Sequence, residues 1–597
     1  MTARSRKFPS VSVASVTFVL ICVAAVCADE RPVGFRVQGT TVPDYAQTIP
    51  IPDGFKELHP ETHTQAPTWQ PTEKSRGYAI FLSNTLEPVY PTTQPLRQQI
   101  GRGLEVTSAR GEYEAASFSI RTLRDLEDVR VTVDDLHGPG GATIARTNVD
   151  LRAVRYLPRK EWRGEAYVVR PSFLERRESL TIAANRTQQY WLTVWVDAST
   201  THGNYRGEVR VEAHGGMSTT LPLRLQVLPF RLRTPPTRQG MYYNPVVLGP
   251  GPHYPSLPAE RLRRELFDMR EHGMNAIFIS VPPSLEVVKK GERVTFDISS
   301  IESLMTTATD AGIDSVIWNL HVDDLIDGRA GDFVTSVRAF LHGFQERGWR
   351  PPMLSAGDEA DVNGTFNHAF RSLRSLKEAF PSHRIYTTIV RPQNSEMFEP
   401  AVDIRAFSSY ADESVIAPTR KAGRELWMYS GSSGYGLDPL GDRLYRGFYA
   451  AKLTLDGVMD WTYWWQRPVP GLPGSSFNDF DGPTSRPKLL SCWVNPVADG
   501  PLPTPGWETM REGVEDGKYV FTVRSLIKET LATGDPEARR RAQTAQEVLD
   551  RILERVVIEP SEKSFPIRDT AACLDAAFFD TARAELAQQI ELLSAAN

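Results

Sequence analysis

The stretch Leu354-Ser355-Ala356-Gly357-Asp358-Glu359-Ala360 decides how this chain is read. A short apolar run gives way to small residues and then to two adjacent carboxylates. That pattern is expected where a buried barrel strand ends and presents acid/base groups at its C-terminal tip. Taken alone, an Asp-Glu pair after a strand fits a solvated turn or a helix N-cap better, because both acids favour the positive end of a helix dipole. The flanking sequence reverses that preference.

Immediately upstream, residues 331–347 set Phe333, Val337, Phe340, Leu341 and Phe344 at spacings of three and four, which predicts an amphipathic helix stopped at Gly348. Before it, a helical stretch at 259–272 leads through Gly273 into Ala276-Ile277-Phe278-Ile279. A second, at 299–311, leads through Gly312 into Val316-Ile317-Trp318, and Met241-Tyr242-Tyr243 begins the series. Downstream come a helix at 364–379, strands at 385–390, 404–409 and 426–429, a helix at 440–455 and a strand at 458–463. The count is eight strands, with the helix between the fifth and sixth least defined. Residues 238–530 are therefore expected to form a (β/α)8 TIM-like barrel, which needs about 250 residues.

Residues 78–235 have a different rhythm. Tyr190, Leu192, Val194 and Val196 alternate with Trp191, Thr193 and Trp195, and Leu221, Leu223, Leu225 and Val227 alternate with Pro222, Arg224 and Gln226. With turn residues such as Gly138-Pro139-Gly140-Gly141 between segments, this predicts an N-terminal antiparallel β-sandwich. Within it, Gly203-Asn204-Tyr205-Arg206-Gly207 reads as a turn between strands. Residues 29–77 carry seven prolines, too many for a helix and too irregular for a central strand, and read as an extended segment draped on a later domain. Beyond Pro501-Leu502-Pro503-Thr504-Pro505 the chain turns helical, and 531–597 reads as a C-terminal helical extension with its charges on a solvated face.

Residues 1–28 read as a secretory signal. Arg4, Arg6 and Lys7 precede an apolar run from Val11 to Val26, with small residues around a cut after Ala28; an uncleaved anchor is the alternative. The signal holds three cations and no acid, so its removal takes the net charge from −5 to −8. So acidic a chain is a poor partner for nucleic acid or an anionic membrane, and a secreted or periplasmic location without a membrane span is expected. Of the four cysteines, Cys492 and Cys573 then remain, a spacing that establishes neither a disulfide nor a metal site.

On the barrel reading, Asp358 and Glu359 stand at the tip of strand four, on the face where such barrels hold their active sites. Other strand ends add Asn244, Asn319, His321, Tyr410, Tyr429, Trp461 and Trp464. Aromatic faces stack on sugar rings, and Asn, His and Tyr bond to hydroxyls, so the set suits a carbohydrate. No His pair stands near the first strand, so no metal and no cofactor is expected. Strand seven ends in Met428-Tyr429-Ser430-Gly431, without the nucleophilic carboxylate of many retaining glycosidases. Asp358, as the neighbour of Glu359, is badly placed to attack the opposite face of the same ring. It can instead hold an N-acetyl group of the substrate whose carbonyl oxygen attacks the anomeric carbon, while Glu359 protonates the leaving oxygen. Either Tyr410 or Tyr429 would orient that carbonyl, with Tyr410 slightly preferred.

The sandwich with Gly203-Asn204-Tyr205-Arg206-Gly207, the barrel with Gly357-Asp358-Glu359 and the run Arg511-Glu512-Gly513-Val514-Glu515-Asp516 resemble glycoside hydrolase family 123 and its wider group, over most of residues 78–530. The resemblance implies an exo-acting β-N-acetylgalactosaminidase with substrate-assisted catalysis, Asp358 orienting the acetamido group and Glu359 acting as acid/base. Its partner would be a glycan ending in a β-linked N-acetylhexosamine. Where members of the family have Pro after the pair, this chain has Ala360. Two alternatives remain from the residues: a two-carboxylate glycosidase using Asp412, Glu413 or Asp460, and a non-catalytic glycan-binding surface protein.

Overall fold

A computed structural model describes residues 31–60, 66–161, 164–215, 217–243, 259–279, 287–290, 293–296, 299–320, 330–408, 412–429, 438–464, 477–480, 492–558 and 574–595. The expected signal segment and Cys573 lie outside them; Cys492 is buried. Among the described residues no helix is long and apolar enough to cross a membrane.

Alternating apolar residues build the N-terminal sandwich. One sheet orders its strands Lys56–Glu57, Ala166–Glu175, Val149–Lys160, Thr187–Val196, Glu112–Thr122, Tyr78–Ser83; the facing sheet runs Leu180–Ile182, Leu126–Val133, Gly203–Ala213, Met217–Val227, Leu104–Ser108. Tyr190, Leu192, Val194 and Val196 meet Val209, Val211, Leu221, Leu223 and Leu225 in the core between them. The outer face of Thr187–Val196 is covered too, since Trp191 packs with Val154 and Leu174. Against that face lies the helix Pro505–Ala532, where Thr193 Oγ1 reaches Glu508 Oε2 and the Ala115 N–H donates to Glu512 Oε1 at 3.1 Å.

Gly203-Asn204-Tyr205-Arg206-Gly207 is not a turn but the start of the strand Gly203–Ala213. Close packing favours its Gly207, because a Cβ there would stand 2.4 Å from Leu136 Cδ2 and 3.1 Å from the Asp135 carbonyl oxygen. Proximity across the sheet looks like turn chemistry in sequence.

The barrel closes through Arg238–Tyr242, Ala276–Ile279, Ser315–Asn319, Met353–Ser355, Ile385–Ile389, Ile404–Ser408, Glu425–Tyr429 and Gly457–Asp460, every pair parallel. Tyr242, Phe278, Ile317, Met353, Tyr386, Ala406, Trp427, Tyr429 and Met459 fill the lumen. Their strand neighbours, including Met241, Ile277, Trp318, Leu354, Ile385, Met428 and Val458, pack outward on the helices. Burial on both faces explains the near-continuous apolar runs.

The helices Ala259–Glu271, Ser299–Ala311, Ala330–Glu346 and Phe366–Ala379 follow the expected order. Between strands five and six there is a 3-10 segment, Pro392–Phe398, in a proline-punctuated stretch. A further helix, Glu413–Lys421, starts on an Asp412 cap and tolerates Pro418 within it.

At the C-terminus, Pro536–Glu554 and Ala576–Ser594 pack against Pro505–Ala532. The expectation of a solvated charged face fails at Arg583, which is buried among acids of the sandwich and the long helix. The proline-rich N-terminal segment threads the same junction. Gln38 Nε2 donates to Glu508 Oε1 at 3.0 Å, the Gly39 N–H to Pro501 O at 2.7 Å and the Val42 N–H to Glu175 Oε1 at 2.6 Å.

Candidate active site

Strand four ends at Ser355, and the chain turns through Gly357, whose φ of +86° and whose missing Cβ, which would stand 2.8 Å from Ala369 Cβ, both favour glycine. Asp358 is then exposed at the barrel mouth and Glu359 is half-buried. The next helix begins only at Phe366, with Thr365 at the cap position, so the pair does not cap it.

Glu359 has a φ of +49°, a left-handed conformation that costs a non-glycine residue of order 1 kcal/mol. Several hydrogen bonds hold it there. Its N–H donates to Thr388 Oγ1 at 2.7 Å, and its carbonyl accepts from Val362 and Asn363 N–H at 3.0 and 3.1 Å. Asp361 anchors the far side of the turn by accepting from Val390 and Arg391 N–H at 3.2 and 2.7 Å. The carboxylates are thus fixed by strand five, in which Tyr386 and Thr388 share the lumen-facing parity.

Thr388 bridges the pair, donating its hydroxyl to Asp358 Oδ1 at 3.1 Å. Tyr429, at the tip of strand seven, donates its hydroxyl to Glu359 Oε1 at 2.8 Å. Burial pushes the Glu359 carboxyl above its ordinary pKa; the Tyr429 bond opposes this, and the charges of Asp358 and Asp361 add to it. Burial, then the charge of Glu359, pushes Tyr429 well up, so its hydroxyl stays a proton donor. Below the pair, Tyr242 packs on Phe278 with ring centroids 4.3 Å apart, and the Tyr242 and Tyr386 hydroxyls meet at 3.3 Å. The result is a carboxyl whose protonated form burial favours, beside an exposed acceptor, over an aromatic floor.

Among the residues expected from sequence, the structure brings Asp358, Glu359 and Tyr429 together. Asn319 ends strand three in register with Ser355 and is buried; Trp461 is half-buried against the lumen aromatics. Trp464 instead joins the layer between barrel and helices, its indole N–H donating to Glu265 Oε2 at 2.9 Å. Asn244, His321 and Tyr410 lie outside the described residues. Of the alternative second carboxylates, Asp460 is fully buried and paired with Arg446 at 2.9 Å, Asp412 caps its helix, and Glu413 is exposed on that helix. Sequence reading missed Thr388, Tyr386 and Tyr242. The period-two relation of Tyr386 to Thr388 on one strand was the available signal.

Residues 89–213 match the model of the glycoside hydrolase 123 N-terminal domain. No curated protein matches the chain in sequence. Among solved structures, a family 123 glycoside hydrolase from Clostridium perfringens, described in terms of glycolipid glycan hydrolysis, superposes with a TM-score of 0.66 at 12% identity, covering 87% of this chain and 100% of that one. At that identity the likeness concerns the fold. A putative glycoside hydrolase from Bacteroides vulgatus gives a TM-score of 0.28 at 12% identity, over 63% of this chain and 76% of its own.

Proposed function

We propose that this chain, whose residues 89–213 match the glycoside hydrolase 123 N-terminal domain and whose fold is that of a family 123 enzyme, is a secreted, exo-acting β-N-acetylhexosaminidase, with terminal β-linked N-acetylgalactosamine as its first substrate. The observation that carries the reading is the division of roles at the mouth. Glu359 is half-buried with a raised pKa and a tyrosine donor, Asp358 beside it is exposed, and Asp412, Glu413 and Asp460 are engaged or placed elsewhere.

In the first step Asp358 accepts the acetamido N–H and favours the growing positive charge on that group. The acetamido carbonyl oxygen attacks the anomeric carbon, and Glu359 gives its proton to the departing glycosidic oxygen. The C–O bond to the leaving group breaks as the bond to the carbonyl oxygen forms, giving a bicyclic oxazolinium. In the second step Glu359, now a carboxylate, takes a proton from water, whose oxygen opens the oxazolinium from the face the leaving group left. The configuration is retained, and Glu359 is protonated for the next cycle. Thr388 keeps Asp358 turned to the mouth, and Tyr429 orients Glu359. Tyr410 remains the proposed partner of the acetamido carbonyl.

The description of the Clostridium perfringens enzyme makes the glycan end of a glycolipid the natural substrate to try first. Hydrolysis of chromogenic β-N-acetylgalactosaminide, β-N-acetylglucosaminide and plain β-galactoside by the chain from Asp29 onward tests the reading. Turnover of the acetamido sugars alone is expected. Equal cleavage of the plain galactoside would overturn the mechanism, and inactivity on all three and on a glycolipid glycan would overturn the activity.

A further inference from the structure

Two carboxylates that take no part in the chemistry lie outside the barrel wall, on the helix Ala259–Glu271. Glu265 and Asp268 sit three residues apart, on one helical face with Leu262, Leu266 and Met269, and both are fully buried. Each collects two aromatic donors. Glu265 Oε2 accepts from the Tyr243 hydroxyl at 2.8 Å and the Trp464 indole N–H at 2.9 Å, with Arg261 Nε at 3.1 Å on the other oxygen. Asp268 Oδ2 accepts from the Tyr463 hydroxyl at 2.8 Å and the Trp507 indole N–H at 2.9 Å. Burial pushes both carboxyls up in pKa.

Three of the four donors stand at the barrel closure, and the fourth, Trp507, belongs to the helix Pro505–Ala532 packed outside it. Tyr243 follows strand one, and Tyr463 and Trp464 follow strand eight, the two strands that meet where the barrel closes. The same short segment is tied to strand one by Thr462 Oγ1 and the Tyr463 N–H, both donating to Tyr242 O at 2.6 and 3.0 Å. Between strand eight and these anchored residues stands Trp461, turned the other way, against the lumen aromatics. Its neighbours are gripped from outside the barrel, so the backbone that carries its indole is held at the mouth. Leu or Met would fill the positions of Glu265 and Asp268 without the cost of burying a carboxyl. Only acceptors can fix the direction of four aromatic donors.

We propose that Glu265 and Asp268 are positioning residues that hold the tips of strands one and eight so that the Trp461 indole lies as a wall of the barrel mouth, where it stacks on the ring of a bound sugar. The sugar-binding part rests on the glycosidase reading above; the positioning part does not.

The test separates the two. In protein labelled with 5-fluorotryptophan, the fluorine resonance missing from Trp461→Phe identifies residue 461 among the twelve tryptophans. Glu265→Gln and Asp268→Asn are expected to shift or split that resonance. A resonance unmoved in both variants, with only those of Trp464 and Trp507 displaced, overturns the positioning claim whatever the enzyme does. On a β-N-acetylgalactosaminide, Glu265→Gln should raise KM about tenfold with kcat held within a few fold, the loss of one stacking contact. Glu265→Gln combined with Trp461→Ala should bind no worse than Trp461→Ala alone. Additive losses overturn the coupling, and a wild type without turnover overturns the glycosidase reading while the fluorine result stands. If Glu265→Gln does not fold, Tyr243→Phe removes one donor without an uncompensated group and is read by the same resonance.

Discussion

Among the carboxyls with raised pKa values, the one at the barrel mouth and those at the junction of sandwich and helices are raised for different ends. At the barrel mouth Glu359 is half-buried, Asp358 is exposed, and their side-chain partners are hydroxyls of Tyr429 and Thr388. At the junction of sandwich and helices, Glu112, Glu114 and Glu515 are buried, and their carboxyl oxygens come within 4.8 Å of one another. Burial pushes all three up. There, however, Arg583 lies among them, bonding Glu114, Glu512 at 2.9 Å and Asp516 at 2.9 Å. The lesson is that a displaced pKa marks chemistry only where a substrate can reach the group. At the junction it marks the cost of joining two domains through charge.

If that contrast is right, substitutions at the mouth change rate and those at the junction change stability. The largest effect is expected from Glu359→Gln, which should lower kcat by up to about 10⁴-fold in a turnover assay while thermal unfolding stays nearly unchanged. Arg583→Met should do the reverse. Leaving buried acids without their cation should destabilise the fold by about 3–5 kcal/mol in denaturant unfolding, with normal turnover per folded molecule.

Tyr429→Phe sharpens the contrast within the mouth. The Tyr429 bond favours ionised Glu359, so its loss should raise that pKa further. As the acid must be protonated, activity falls as pH rises through this pKa. The alkaline limb of kcat/KM should therefore move up, by about one pH unit at most, with about a tenfold loss at the optimum. The smallest effect is expected at Glu515. Its folded pKa lies above its unfolded value, so its contribution to stability is complete below the ordinary carboxylate range and is lost as pH rises through the raised value. Glu515→Gln should flatten that decline, by about 1 kcal/mol at the alkaline end, in unfolding curves measured across pH.

What the sequence revealed follows the same division. The barrel and sandwich were legible because strands buried on both faces, or on one, leave apolar runs or strict alternation. The Asp358-Glu359 pair was legible as the end of such a run. Hidden elements had local chemistry opposed to their tertiary role: Pro418 inside Glu413–Lys421, and Gly207 in a strand because Leu136 presses on it. Trp464 was assigned to the mouth because it follows strand eight, but the chain has left the strand there and period two no longer predicts its side. Arg583 reads as a solvated charge on an amphipathic helix, since its acids come from residues as far away as Glu114. Thr388 and Tyr386 needed the fold to be placed beside the pair.

The central claim is that the nucleophile belongs to the substrate and that Asp358 supports it. The most direct measurement is kcat/KM on aryl β-galactosaminides whose N-acetyl group carries none, one, two or three fluorines, each of which weakens the carbonyl oxygen as a nucleophile. The account predicts a steep fall along the series for the wild type. Rates that stay level from acetyl to trifluoroacetyl would contradict it, because the attacking atom would then have to come from the protein.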